Sequence, residues 1–338
     1  MSEETDIPKG ASLLAWAALV VVYVVWGSTY LAIRVAVRDL PPMTLAGLRY
    51  VSAGLLLFPF ALRSGGGRRP SGQRLTPQQV LAAAVVGFLL LVLGNGGLCI
   101  GEQTLDSGFA AVLVSTVPLW MVVFAVAING TSPTASTLVS LALGLGGVIV
   151  LVGAGSASGH LPGVLVVLGA SAAWGLGSVL SHRLPLPGRA QLAAALEMLA
   201  GGVILLVIAA VTAELGQVRW SHVPADAWVA TLYLIVPGSV LAFTAYGYAL
   251  ARLPLATVST YAYVNPVVAL LLGQLILSET LTVRGIIGSL LVVISVALAV
   301  RRPVPRPTRR SSGRLPVSEV AGSALSSRRS TSGPSTHC

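Results

Sequence analysis

The sequence predicts an all-α membrane protein of ten transmembrane helices, built as two five-helix repeats of opposite orientation. Three observations predict it. Charged residues make up only 9% of the chain and hydrophobic residues 55%, whereas a typical soluble domain is about 25% charged. Apolar windows of about 20 residues, the length that crosses a hydrocarbon core of about 30 Å, recur along almost the whole chain. The chain also repeats itself: one shift of 148 positions sets Pro118 on Pro266, Trp26-Gly27 on Trp174-Gly175, Leu48 on Leu196, Gly54 on Gly202 and Leu105 on Leu253.

In order, the windows fall near 13–33, 43–62, 80–100, 108–128, 136–154, 162–181, 190–212, 227–249, 255–277 and 285–300. The apolar run from Ala11 continues through Tyr30 to Arg34 with no small-residue cleavage site, which predicts a retained first helix and not a signal peptide. Residues 1–12 are expected as a cytoplasmic tail, 13–154 as the first repeat, 161–300 as the second and 301–338 as a disordered basic tail. Because each copy has an odd number of spans, the second enters the membrane the opposite way up from the first. Inverted repeats of this kind occur in many secondary transporters, with the site between the halves near the midplane.

Basic residues in the loops orient the chain. With the N-terminus inside, Lys9, Arg63, Arg68, Arg69, Arg74, Arg183, Arg189, Arg252 and every arginine after Val300 are cytoplasmic, and only Arg34, Arg38, Arg219 and Arg284 are outside. The expectation is a multi-pass inner (cell) membrane protein with both termini cytoplasmic. The tail arginines, which dominate the net charge of +10, suit anionic lipid headgroups rather than nucleic acid.

An enzyme is not expected. There is no His-Glu-x-x-His zinc pair and no Gly-x-Ser-x-Gly elbow. The helix glycines lack the strand and the Gly-Lys-Ser/Thr of a nucleotide loop, and close helix packing accounts for them. Cys99 and Cys338 give neither a disulfide framework nor a metal cluster. No cofactor or metal is expected, and with no ATP-binding segment transport would draw on a gradient or run downhill.

Several strings then become specific: WGSTYLAIR at 26–34, PPMTLAGLRY at 41–50, GNG at 94–96, TVPL at 116–119, YAYVNPVVALLLG at 261–273 and SETLT at 278–282. In this order and spacing the chain resembles the drug/metabolite transporter superfamily, in its ten-helix EamA-type branch with YedA-like members. The resemblance covers about 13–300. It implies inverted halves, a central cavity and alternating-access movement of a small metabolite, often export (efflux) of amino acids or related compounds. Two other readings stay open: a lipid or polyprenyl-linked sugar translocator, and a non-transporting membrane sensor or scaffold. The family often ends its fourth and ninth helices on a carboxylate. Here Glu279 ends the ninth, its partner position is Thr131, and Glu279 reads as a cap on the loop into the tenth helix.

Ionisable groups inside spans mark a pathway or a buried pair. The repeat relates Arg49 to Glu197. Counted from the helix ends at 1.5 Å per residue, about 8–10 Å of depth separates them, long for a salt bridge. As substrate groups, Arg49 would take a carboxylate and Glu197 an ammonium or a coupling proton; as structural groups, each would tie helices together. Asn95, Asn265, Tyr261, Tyr263 and Ser28 are further candidates to line the path. Pro118 and Pro266 each remove a backbone donor and are expected to kink their helices around a cavity. Glu102 and Asp106, with Arg34 and Arg38 on the same side, read as screened surface pairs or an outer gate.

Overall fold

A computed structural model describes residues 13–63, 75–130, 134–152, 161–253, 255–258, 260–280 and 282–301. Both expected tails, Thr131 and most of the loop that carries Arg68, Arg69 and Arg74 lie outside them.

The described residues are helical, with no strand among them. The first repeat gives α1 Leu13–Ala36, α2 Pro42–Arg63, α3 Pro77–Gly101, α4 Ser107–Asn129 and α5 Ala135–Val152. The second gives α6 Leu161–Ser181, α7 Ala190–Val211, α8 Ala225–Leu250, α9 Tyr261–Leu277 with a helical turn Leu255–Val258 before it, and α10 Val283–Arg301. Seven of the ten are long and apolar enough to cross a membrane; α5, α9 and α10 are shorter apolar helices. Large side chains such as Leu145, Val207 and Leu275 are exposed on the outer surface, as lipid-facing residues should be.

Local chemistry sets several boundaries. Thr76 and Gln79 form a reciprocal capping box, with Pro77 at the first helical position of α3. Helix α4 is interrupted at Ser115-Thr116, just ahead of Pro118, and their hydroxyls bond back to the Val112 and Leu113 carbonyls. Helix α9, by contrast, runs on through Pro266.

The two repeats are inverted, and the packing of equivalent helices shows it. Helix α2 packs along α7, with Gly47 facing Leu206, Val51 facing Gly202 and Gly54 facing Leu199. One helix rises in number where the other falls, so these equivalent helices are antiparallel. A Cβ on Gly202 would lie 2.6 Å from the Val51 nitrogen, so the helices approach this closely only because the residue is glycine. Helices α5 and α10 repeat the arrangement, with Gly144 against Ser295 and Gly147 against Gly288 and Val292. The remaining contacts exchange in pairs: α1 packs on α8 and α9 as α6 packs on α3 and α4. Ten crossings put residues 13 and 301 on one face, called here the near face; the other is the far face.

Candidate functional site

Both α3 and α8 widen into π-helical turns, over Phe88–Gly96 and Val236–Leu241. The 148-residue shift carries Phe88 onto Val236, so both repeats loosen at the same place. A π turn shifts the backbone ladder by one residue and is frequent at functional sites. In α8, Pro237 and Gly238 sit inside this turn, where neither favours regular helix.

Beside the α3 turn, which contributes Gly94 and Asn95, lies a cavity of about 130 Å³. Helices α1, α2, α3, α4, α6, α8 and α9 all contribute to its wall. Arg49 is the only charged side chain in the lining among the described residues, and it is 5% exposed. Its Nε donates to the Ser239 hydroxyl at 3.0 Å, Nη1 to Asn95 Oδ1 at 3.3 Å and Nη2 to the Gly238 carbonyl at 3.5 Å. Its guanidinium carbon also stands 4.8 Å from the centre of the Tyr50 ring. These acceptors are all neutral. A buried cation without a carboxylate partner carries a desolvation cost that its neutral acceptors offset only in part.

Opposite the charge is an aromatic cluster. The Trp26 ring lies 5.4 Å from Phe243, 5.2 Å from Tyr246 and 5.2 Å from Tyr261. Gly27 lets α1 press onto α9, where a Cβ would stand 2.6 Å from that of Val268. The amide nitrogen of Asn265, in the orientation that satisfies its neighbours, donates to the Tyr261 carbonyl at 3.2 Å and the Tyr23 carbonyl at 3.3 Å.

Of the residues singled out from the sequence, Arg49, Asn95, Tyr261, Asn265, Pro118 and Pro266 come together in this lining. Glu197, Tyr263 and Ser28 do not. The Glu197 backbone packs against α3, its carbonyl 2.5 Å from where a Gly87 Cβ would be. In the antiparallel register Arg49 stands level with residue 204, seven positions from Glu197, which is about 10 Å at 1.5 Å per residue; no bond joins the two. Ser28 turns away, bonding the Val25 carbonyl at 2.9 Å and the Tyr233 hydroxyl at 2.6 Å, and Tyr263 packs against the main apolar core. Sequence reasoning missed Ser239 and Gly238. Their signal was the Pro237-Gly238 pair inside an apolar span.

At the far end two carboxylates of the second repeat cap helices of the first. Glu279 accepts from the Ser107 nitrogen at 2.7 Å and the Gly108 nitrogen at 3.1 Å. It therefore caps α4, not the loop into α10 as its position suggests. Ser278 adopts a left-handed conformation (φ 55°) that ends α9, and the chain folds back so that Glu279 lies over Gly273. A side chain on Gly273 would collide there, its Cβ 2.8 Å from the Glu279 carboxyl carbon. Likewise Glu214 Oε2 accepts from the Met43 and Thr44 nitrogens at 3.0 and 3.1 Å, capping α2. Carboxylates at helix N-termini satisfy free N–H groups and oppose the dipole. Shifted by 148, Glu279 and Glu214 fall on Thr131 and Gly66, so the near face has no carboxylate at either equivalent position.

Glu102 corrects a further expectation. It does not form a screened surface pair: it is 0% exposed and neither carboxylate oxygen has a hydrogen-bond partner. The nearby Arg34 guanidinium donates to its backbone carbonyl instead. Burial, reinforced by Glu279, holds the Glu102 carboxyl well above the usual carboxylate range against the pull of Arg34 and Arg49.

With this geometry in hand, known proteins can be set beside it. Residues 13–153 and again 161–301 match the EamA-like transporter family. The chain belongs to that family. Among EamA-like relatives, "Uncharacterized inner membrane transporter YedA" of Escherichia coli (strain K12) is 39% identical over 270 residues, 79% of this chain and 84% of that protein. "Uncharacterized transporter YvbV" of Bacillus subtilis is 28% identical over 87% of this chain and 92% of its own length. "Probable terminal-alkyne amino-acid exporter" of Streptantibioticus cattleyicolor is 29% identical over 87% of this chain and 96% of its own length. One crystal structure shares the fold, with a TM-score of 0.57 at 21% identity over 87% of this chain and 99% of that one. This EamA-like chain is thus a multi-pass inner-membrane transporter of the drug/metabolite superfamily, acting on a small molecule.

Proposed function

We propose that the protein exports an amino acid or a related small carboxylate by alternating access, with the substrate carboxylate on Arg49 and its apolar body against the Trp26 cluster. One observation carries this reading: among the described residues, the only charge in the cavity wall is a buried guanidinium whose partners are all neutral. An anion there would meet a charge-assisted, preformed donor fork. A substrate ammonium would be met by ring faces and by backbone carbonyls near Pro266, because no acidic side chain lines the wall.

The excess of basic residues near residues 63, 183, 189 and 252 makes the near face cytoplasmic. The capped far face is then the outer one, and the conformation is closed to the outside. A carrier at rest in this state loads from the cytoplasm, which fits export. A cavity of about 130 Å³ suits a small metabolite better than a polyprenyl chain, which sets the lipid-translocator alternative behind.

The test is counterflow in proteoliposomes with a panel of amino acids and simple carboxylates. Wild-type protein is expected to exchange one of them and Arg49→Ala to lose that exchange. Equal exchange in both would remove Arg49 from the reading.

A further inference from the structure

We infer that the Glu102 carboxyl is a proton-binding site that latches the far face shut, protonated in this closed conformation and ionised when that face opens to water. The inference rests on the alternating-access reading above, but not on the identity of the substrate.

The geometry around Glu102 carries it. The side chain is completely enclosed at the far end of α3, and both oxygens lack any hydrogen-bond donor. An ionised carboxylate in such a place would be unsolvated and unpaired, the costliest state available to it. Arg34, the cation best placed to neutralise it, instead spends its hydrogen bond on the Glu102 backbone carbonyl. The charged and titratable groups acting on this carboxyl are Arg34 and Tyr30 from α1, Arg49 from α2, Cys99 from α3, and Glu279 from the α9–α10 connection. Glu279 is a like charge already engaged on α4, so it disfavours ionisation of Glu102 rather than assisting it.

Opening the far face changes each of these terms together. Water reaches the carboxyl, the Glu279 cap on Ser107 and Gly108 lets go, and the Arg34 side chain is free to turn from the carbonyl to the carboxylate. All three favour loss of the proton. By linkage, a site that holds its proton more tightly in the closed form makes that form more stable at low far-side pH and less stable as far-side pH rises. One proton therefore leaves Glu102 each time the face opens and returns each time it closes. Glu102 also stands one helical turn from Leu98, and Leu98, Tyr30 and Arg49 line the cavity, so the latch sits directly behind the proposed anion site.

The experiment uses full-length protein in lipid and needs no substrate. Infrared spectra recorded during a pH titration in a Glu197→Gln background, which removes the other carboxyl buried inside a span, are expected to show a protonated-carboxyl band persisting above the ordinary carboxyl range and lost when Glu102→Gln is added. In a Cys338→Ser background, labelling of buried Cys99 by an impermeant thiol reagent from the far side should rise with far-side pH several-fold more steeply than in Glu102→Gln, the neutral isostere of the protonated acid. The variant should show only the growth of thiolate with pH that any cysteine shows. A Glu102 that titrates like an exposed carboxyl, or labelling that follows pH equally in wild type and Glu102→Gln, or not at all in either, would overturn the latch. A failed carrier reading shows up differently, as no exchange of any carboxylate by wild-type protein.

Discussion

Arg49 of the first repeat gives its Nε proton to the Ser239 hydroxyl of the second across 3.0 Å, inside a π-helical turn of α8. The Ser239 hydroxyl in turn donates to the Leu234 carbonyl at 2.9 Å. This chain fixes the guanidinium plane and leaves it facing the cavity. Ser239→Ala would leave Nε without a partner in a buried site, at a cost of about 1–3 kcal/mol. The expected outcome is a KM for exchange raised about 5- to 100-fold, with Ser239→Thr, which keeps the hydroxyl, largely restoring it.

Arg49→Lys tests the fork itself. Lysine keeps the charge but lacks the planar donor pair that can grip a carboxylate at two points. Exchange should persist with KM raised about tenfold, whereas Arg49→Ala should lose it. Equal KM values for lysine and arginine would mean that the charge alone matters.

Glu197→Gln should leave KM unchanged, because Glu197 is not among the residues that line the cavity. A rise in KM comparable to that of the Arg49 variants would show that the side chain reaches the substrate after all, in this or another conformation.

How much of this was legible in the chain follows from which signals are local. The ten spans and the inversion were legible, because hydrophobic length and an odd repeat count do not depend on packing. Pro118 and Pro266 sit at equivalent positions, yet only α4 breaks near its proline; the Ser115 and Thr116 hydroxyls bond back to the Val112 and Leu113 carbonyls at that break, and no residue pattern foretold the difference. Arg49 was found because a charge in a span is conspicuous. Glu197 was equally conspicuous but does not line the cavity, since helix rotation is set by neighbours such as Gly87. Glu279 was misplaced because counting residues does not tell which helix end a carboxylate folds onto, and Glu102 because counting gives depth along a helix but not whether neighbouring helices cover the side chain.

Closeness between the repeats predicts a pair of contrasting glycine variants. Gly202→Ala would press a methyl group to 2.6 Å from the Val51 backbone, and overpacking of this kind costs about 1–3 kcal/mol. Gly169, where nothing stands within 4 Å, should accept alanine with no loss. Thermal unfolding of the two variants in the same lipid or detergent checks the contrast.

The Glu102 carboxyl gives stability a pH dependence with a definite sign. Its proton is held more tightly in the folded, closed protein than in the unfolded chain, so its contribution is complete below the ordinary carboxyl range and is lost as pH rises through the folded-state value. Glu102→Gln should therefore gain on wild type as pH climbs from acid to neutral, in unfolding midpoints measured across that range. A constant difference between the two would mean that folding leaves the affinity of Glu102 for its proton unchanged.

The central claim is that Arg49 selects a carboxylate, and the most direct measurement removes only that group from the substrate. Proteoliposomes would be offered the exchanging amino acid, its amide and its decarboxylated amine, with wild type and Arg49→Ala side by side. The account predicts that wild type exchanges the acid, discriminates against the amide and the amine by tenfold or more, and loses that discrimination with Arg49→Ala. Equal exchange of all three compounds by wild type would contradict it.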